Sequence, residues 1–390
     1  MKAAAFGALV VGGGVHGLAT AWQLARPRAA GGSGVERVAL VERFRLHHDR
    51  GSSHGNARIT RTTYSDERYV RLVGVAHRED WPRLERESER TLIHRCDGVF
   101  FGPPEGDLAR WAAAVAASGA PGVERLEVRE ARRRFPAFAF PDAEFVLHDT
   151  TGGVVAAADT LLALDRRCRV EGVHVLEETR VLAIDPGSDP VVVETDRGRL
   201  LAERVVVTAG AWVASLVPAM RSAVQVSRQH VGYFDVGPAG DFGRLPVWVY
   251  LGDEARGLYY GLPAFGRPGI KAALHGVGAG DDDPETHPGP DAGAIERVRR
   301  FLSSQLAVPV GDLLHAETCL YTNTPDERFV IGPLPGHPNV VVGSICSGHG
   351  FKFGPLAGRL LAELVVDGKT SVPEFERYRA EFAVPREAQG

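Results

Sequence analysis

The chain has 390 residues and a mass of 41.9 kDa, more than one ordinary hydrophobic core holds, so two domains are expected. It is 44% hydrophobic and 24% charged, and 45 basic against 49 acidic residues leave a net charge of −4, which excludes a nucleic-acid binder or a polybasic membrane protein. Cys96, Cys168, Cys319 and Cys346 show neither metal-ligand nor disulfide-framework spacing, and the apolar run over residues 3–11 is too short to span a bilayer and lacks a basic leader. The expectation is a cytoplasmic monomer that binds no metal, nucleic acid or membrane.

Residues 6–25 run from an apolar stretch through glycines into an amphipathic segment, which predicts a buried strand, a tight turn and a helix. Gly12, Gly14 and Gly17 form G-x-G-x-x-G. The first glycine permits the turn, the second lets a pyrophosphate approach the backbone, and the third packs helix on strand. Val15 and His16 open the helix, whose N-terminal amides and positive dipole end favour phosphate. A second strand, Arg37–Val41, ends in Glu42, suited to a ribose hydroxyl, with Arg43 beside it. An Ala/Gly/Pro/Arg-rich insertion, Arg26–Gly34, lengthens this unit. Together these features predict a dinucleotide site, for NAD or for FAD.

An NAD dehydrogenase should continue with further regular βα units. Residues 50–64 are instead a Gly/Ser loop carrying His54, Arg58 and Arg61. If Ala57–Tyr64 is a helical turn, the i, i+3 spacing puts both guanidinium groups on one face. The loop follows the ribose-binding strand directly, which argues for a cofactor-facing role over a solvated basic loop. Strands at Gly172–Val175, 178–184 and Val191–Glu194 lead into an apolar run at 201–212 that returns to the nucleotide domain, with Val181, Gly210 and Trp212 as cofactor-side candidates. Residues 339–346 read as another strand, Ser347–Gly354 as a glycine loop, and Pro355–Val366 as a helix. Val224–Val236, Val247–Tyr250 and Leu258–Pro263 read as strands of an antiparallel sheet, and Gly280–Pro290 as an exposed loop.

Several segments, in this order, carry a family resemblance: Gly12-Gly-Gly-Val-His-Gly17, His54-Gly-Asn-Ala-Arg-Ile-Thr-Arg61, Tyr259-Tyr-Gly-Leu-Pro263, Ile270-Lys271, Cys319-Leu-Tyr-Thr322 and Gly348-His-Gly-Phe-Lys-Phe353. The chain resembles the monomeric sarcosine oxidase and N-methyltryptophan oxidase family, within the D-amino-acid-oxidase-like flavoenzymes. The resemblance implies an α/β two-domain flavoprotein: a discontinuous Rossmann-like FAD-binding domain (1–91, 150–223 and 318–390) and an antiparallel-sheet substrate domain (92–149 and 224–317). It implies oxidation of a secondary or cyclic amino acid to an imine, with dioxygen reduced to hydrogen peroxide.

Read alone, Cys319 is either a small buried hydrophobe or a reactive thiolate. The resemblance implies the second, with FAD carried covalently through a thioether at the flavin 8α-methyl. It also implies that Arg61 and Lys352 grip a substrate carboxylate, that Lys271 favours oxygen reduction, and that Tyr260 and His275 orient the amine. His54, Arg58, His349, Gly348, Gly350, Phe351 and Lys352 match flavin-side positions, and Tyr321, two residues beyond Cys319, points to the pocket if its segment is extended. Ala57 in place of a threonine, and Arg267-Pro268 in place of a smaller pair, depart from the family pattern and bear on substrate choice. The alternatives are a biosynthetic cyclic-imine (piperideine-carboxylate-type) oxidase, an NAD(P)-dependent dehydrogenase and a non-enzymatic flavin-binding subunit.

Overall fold

A computed structural model describes residues 4–27, 34–276 and 281–386. The insertion read at Arg26–Gly34 and the loop read at Gly280–Pro290 therefore lie partly outside the described residues.

The strand, turn and helix expected at the start are present as Ala8–Val11, a glycine turn and Val15–Ala25. All four strand residues are buried, because a strand covered on both faces carries a continuous apolar run. Ala8–Val11 lies inside a six-stranded sheet of spatial order 174–176, 38–41, 8–11, 205–207, 337–344, 330–334. The first five strands are parallel, and Val330–Leu334 closes the edge as an antiparallel hairpin with His337–Ser344. Helices Val15–Ala25 and Gly354–Asp367 pack together over this sheet, with Leu18, Trp22, Leu356 and Leu360 in a shared core. Gly358 permits the close approach, since a Cβ there would come within 2.6 Å of the Ala19 Cβ.

A second large sheet has eight strands, in the order 313–323, 225–234, 270–275, 258–262, 247–251, 98–101, 145–149, 123–127. Its pairs are antiparallel except where Val247–Leu251 runs parallel to Gly98–Phe101. Leu313–Asn323 crosses residues 317 and 318 without a break, so Cys319 sits in this sheet. A four-stranded sheet (4–6, 198–202, 191–195, 181–185) and a three-stranded one (57–60, 153–156, 93–95) complete the fold.

One local expectation is corrected. Ala57–Thr60 is a strand paired with Gly153–Ala156, not a helical turn. The i, i+3 spacing of the two arginines suited a helix, but β-branched Ile59 and Thr60 favour extended backbone and a distant strand supplies the hydrogen-bond partners. Both arginines still line one cavity, because the chain turns immediately after Thr60.

The glycine turn tolerates no side chain at its third position. A Cβ on Gly17 would lie 1.7 Å from the Gly12 carbonyl oxygen. Gly17→Ala should destabilise the protein by about 1–3 kcal/mol through overpacking, seen as a lower Tm in scanning calorimetry. Gly289→Ala, where nothing lies within 4 Å of the added methyl, should leave the Tm unchanged.

Candidate active site

A cavity of about 840 Å³ extends between the two large sheets, and most of the residues singled out from the sequence line it. At one end lies the first glycine turn. Gly12 has φ of +103°, and a Cβ there would meet the Thr208 carbonyl oxygen at 2.5 Å, so backbone alone forms this wall. Glu42 is buried at the end of Val38–Val41; Oε2 accepts from Gly13 N at 2.6 Å and Oε1 from Phe44 N at 2.8 Å. Burial pushes this carboxyl up, but the hydrogen bonds from His48, Phe44 and Gly13 outweigh it and hold the group below its usual range. His16 ties this turn to the last glycine loop, its Nε2 being 3.3 Å from the Gly350 carbonyl oxygen, and burial lowers the imidazole to about 4.

Val181 and Gly210 line the same end. Arg43 and Trp212 do so as well, but both also bind Glu285 of the segment after residue 280: Arg43 Nη1 donates to Oε1 at 2.6 Å and Trp212 Nε1 at 3.0 Å.

The middle of the cavity holds Arg58, His54, Lys271 and Cys319. Arg58 is locked by backbone carbonyls, donating to Ala57 O and Ser52 O at 2.9 Å and to His54 O at 2.6 Å, with its guanidinium 5.4 Å over the Phe351 ring. Burial pushes the Cys319 thiol up, against the pull of Arg58 and Lys271. Burial, and then Arg58, lower the Lys271 ammonium to about 8.

At the far end Arg61 lies against the Tyr64 and Trp111 rings, 4.0 Å from the Tyr64 centroid and 4.5 Å from that of Trp111, and donates to the Thr63 carbonyl. The two rings are inclined by only 13°. Lys352 Nζ donates to Tyr64 Oη and to the His349 carbonyl, both at 3.0 Å. Arg61 is 8% exposed and Lys352 5%, and among the described residues no carboxylate comes within ion-pairing distance of either. Burial lowers the pKa of both, and for Lys352 the neighbouring Arg61 and Arg58 lower it further. Tyr260 Oη and Tyr321 Oη stand 3.4 Å apart, with the His275 ring 5.4 Å from that of Tyr321. Gly348, at φ +73°, nests against both, since a Cβ would meet the Tyr321 ring at 2.4 Å and the His275 ring at 2.5 Å.

Tyr64, Trp111 and Glu317 belong to this constellation and escaped the sequence reading. Two signals pointed toward part of it. Glu317 precedes Cys319 by two residues, and alternate strand residues share a face. The sequence also holds lysine only at positions 2, 271, 352 and 369, so a lysine within an apolar strand is unusual in this chain.

The turn that delivers Arg61 rests on Asp149, which is fully buried. Its Oδ2 accepts from Thr62 N, Thr63 N and Thr63 Oγ1 at 2.8, 3.0 and 2.9 Å, and its Oδ1 from Thr151 N and Oγ1 at 2.8 and 2.5 Å. Asp149→Ala strands these donors without an acceptor. It should cost about 3 kcal/mol or more in urea unfolding and speed proteolysis near residue 62.

A family profile described as "FAD dependent oxidoreductase" matches residues 8–364. The chain is 31% identical over 376 residues to monomeric sarcosine oxidase from Bacillus sp. (strain B-0618), covering 94% of this chain and 93% of the relative. It is 33% identical over 367 residues to human peroxisomal sarcosine oxidase, covering 92% and 91%. Its fold is similar to that of NikD, described as an unusual amino acid oxidase essential for nikkomycin biosynthesis, with a TM-score of 0.82, 26% identity and 99% and 98% coverage. The cavity fits the cofactor that the family name requires. The glycine turn leaves no room for side chains, Glu42 presents a carboxylate where a ribose is expected, and His54 Nε2 and His349 Nδ1 are buried on the wall without partners among the described residues. The nicotinamide alternative falls with this match. Among the described residues no helix is long and apolar enough to cross a membrane. With a match over most of its length and a cavity built for a dinucleotide, the chain belongs to the FAD-dependent oxidoreductase family.

Proposed function

We propose that this FAD-dependent oxidoreductase is an oxidase of a carboxylate-bearing secondary or cyclic amine, with FAD carried covalently on Cys319. The observation that carries the reading is the buried pair Arg61 and Lys352, which converge on Tyr64 and lack a carboxylate of their own among the described residues. Two desolvated cations side by side are costly unless an anion joins them, and a substrate carboxylate is that anion. Bound FAD supplies the redox chemistry, accepting a hydride from the carbon next to the amine nitrogen and passing two electrons to dioxygen. The amine thus loses two electrons and two protons in becoming an imine, and dioxygen gains the same to become hydrogen peroxide.

The side chains around that event bind, orient and hold charge. Arg61 is fixed by the Tyr64 and Trp111 rings beside it and by the Thr63 carbonyl, and Lys352 by Tyr64 and the His349 carbonyl, so the carboxylate docks in one orientation. Burial, with Arg61 and Lys352 nearby, lowers His275 to about 4, so it stays neutral at ordinary pH and accepts a hydrogen bond from the amine N–H. Burial holds Tyr321 well above the ordinary phenol range and raises Tyr260 to about 12, so both keep their protons as donors. Lys271 supplies a fixed cation that favours oxygen reduction, as electrostatic stabilisation of developing negative charge requires. Cys319 would hold the flavin through a thioether, whose formation would give up the Sγ proton and one methyl hydrogen with dioxygen as the two-electron acceptor.

Relatives named for sarcosine and N-methyl-L-tryptophan support an N-methyl amino acid as substrate. Likeness to NikD, an amino acid oxidase of a biosynthetic route, supports a biosynthetic role, and a cyclic-imine oxidase is the second reading. Peroxide release with sarcosine, proline, pipecolate, piperideine carboxylate and N-methyl amino acids separates them. If amines without a carboxylate turn over equally well, the proposed clamp is wrong.

Acid precipitation tests the linkage. Flavin should stay with the wild-type polypeptide and appear in the supernatant of Cys319→Ala; free flavin from wild type rules the thioether out. The clamp is tested with simple carboxylates that perturb the flavin spectrum. Arg61→Ala and Lys352→Ala should each weaken their binding by about ten- to a hundredfold, and the double variant by less than the product, because one anion joins both groups.

A further inference from the structure

Leu313–Asn323 presents Glu317, Cys319 and Tyr321 to the cavity at a two-residue period. Glu317 Oε1 lies 3.2 Å from Lys271 Nζ and accepts a hydrogen bond from Tyr233 Oη at 2.8 Å. Lys271 is 5% exposed, its other polar contact is the Ala57 carbonyl at 3.4 Å, and Glu317 is its one carboxylate partner among the described residues. Gly55 stands against the pair in the left-handed region, at φ +85°. A methyl there would lie 3.2 Å from Glu317 Oε1, 3.4 Å from Arg58 Nη1 and 3.7 Å from Lys271 Nζ. Two cations and one carboxylate therefore meet around a space that only glycine leaves open.

We propose that Glu317 is a positioning residue for Lys271, fixing the ammonium at the cavity wall and keeping it charged there. This rests on the reading of Lys271 as the cation that favours oxygen reduction. The other groups facing the pair offer no substitute. His54 comes from the loop before Ala57 and Arg58 from the strand Ala57–Thr60, Arg267 lies over the Tyr233 ring at 5.3 Å, and His315 and Cys319 come from the strand of Glu317 itself. Burial favours the neutral form of His54, His315, Cys319 and Tyr233, and Arg58 opposes a second positive charge beside it. Glu317 alone among them is a carboxylate in contact with the ammonium.

The sign follows from the chemistry of an ammonium. Lys271 titrates near 8, so its charge is present below that pH and lost above it; removing Glu317 moves the loss to lower pH. The experiment labels lysine at 13Cε in the FAD-loaded enzyme, where lysine at only positions 2, 271, 352 and 369 keeps the spectrum simple and Lys271→Met identifies the signal. Glu317→Gln should lower the Lys271 midpoint by about one pH unit or more. The rate constant for reoxidation by dioxygen, measured across pH in stopped flow, should fall with the same displaced midpoint. Glu317→Asp, which withdraws the carboxylate by one methylene, should give an intermediate midpoint and carries the test if Glu317→Gln does not fold. An unchanged lysine midpoint in these variants overturns the role of Glu317 while leaving that of Lys271 intact. Wild-type reoxidation in Lys271→Met overturns the reading of Lys271 itself, and the proposal with it.

Discussion

Arg58, Arg61, Lys271 and Lys352 line one cavity, and Arg61, Lys271 and Lys352 are each less than a tenth exposed. Taking a cation out of water costs several kcal/mol even after relaxation, unless hydrogen bonds or an opposite charge replace the lost hydration. Each of the four meets this differently. Arg58 spends its donors on three backbone carbonyls. Arg61 lies against the Tyr64 and Trp111 rings, contacts suited to a planar, weakly hydrated guanidinium, and donates to the Thr63 carbonyl. Lys271 has a carboxylate, and Lys352 has a phenol and a carbonyl. Among the described residues Arg58, Arg61 and Lys352 are left without a carboxylate, and of these Arg61 and Lys352 are read as the substrate clamp.

These solutions depend on two sheets built for different tasks. The parallel sheet delivers glycine turns at its strand ends, where backbone must approach backbone and a dinucleotide closely. The antiparallel sheet delivers a regular face, on which Glu317, Cys319 and Tyr321 of Leu313–Asn323 reach the cavity. Gln225–Phe234 pairs along nearly the whole of that strand and brings Tyr233 to Glu317. The last glycine loop then closes the far side, with Gly348 packed on Tyr321 and His275, and His16 bonded to the carbonyl of Gly350.

The nucleotide end was legible in the sequence because its chemistry is local. Gly12, Gly14 and Gly17 lie within six residues, and the strand and helix around them follow from hydrophobic period alone. Glu42 was legible too, since a strand ending in an acid at that point has a geometric meaning. Lys271 was marked only as a lysine within an apolar run, and its role, like those of Cys319 and Lys352, came through resemblance.

What the sequence determined by itself was therefore the short-range structure: the glycine turn, the buried strands and the helices that cover them. Only the tertiary structure decided the partners of the buried charges. The contact of Glu317 with Lys271 spans 46 positions, and that of Lys352 with Tyr64 spans 288. Nothing in the local pattern says that Asp149 will hold the turn before Tyr64, or that Trp111 will lie across from it. The same limit misled the reading of Ala57–Thr60, whose arginine spacing suited a helix until a strand nearly a hundred residues away satisfied its backbone. Local periodicity reports which face of an element is buried. It carries no information about which distant charge or hydrogen-bonding group will meet that face, because the partner is chosen by how the chain packs.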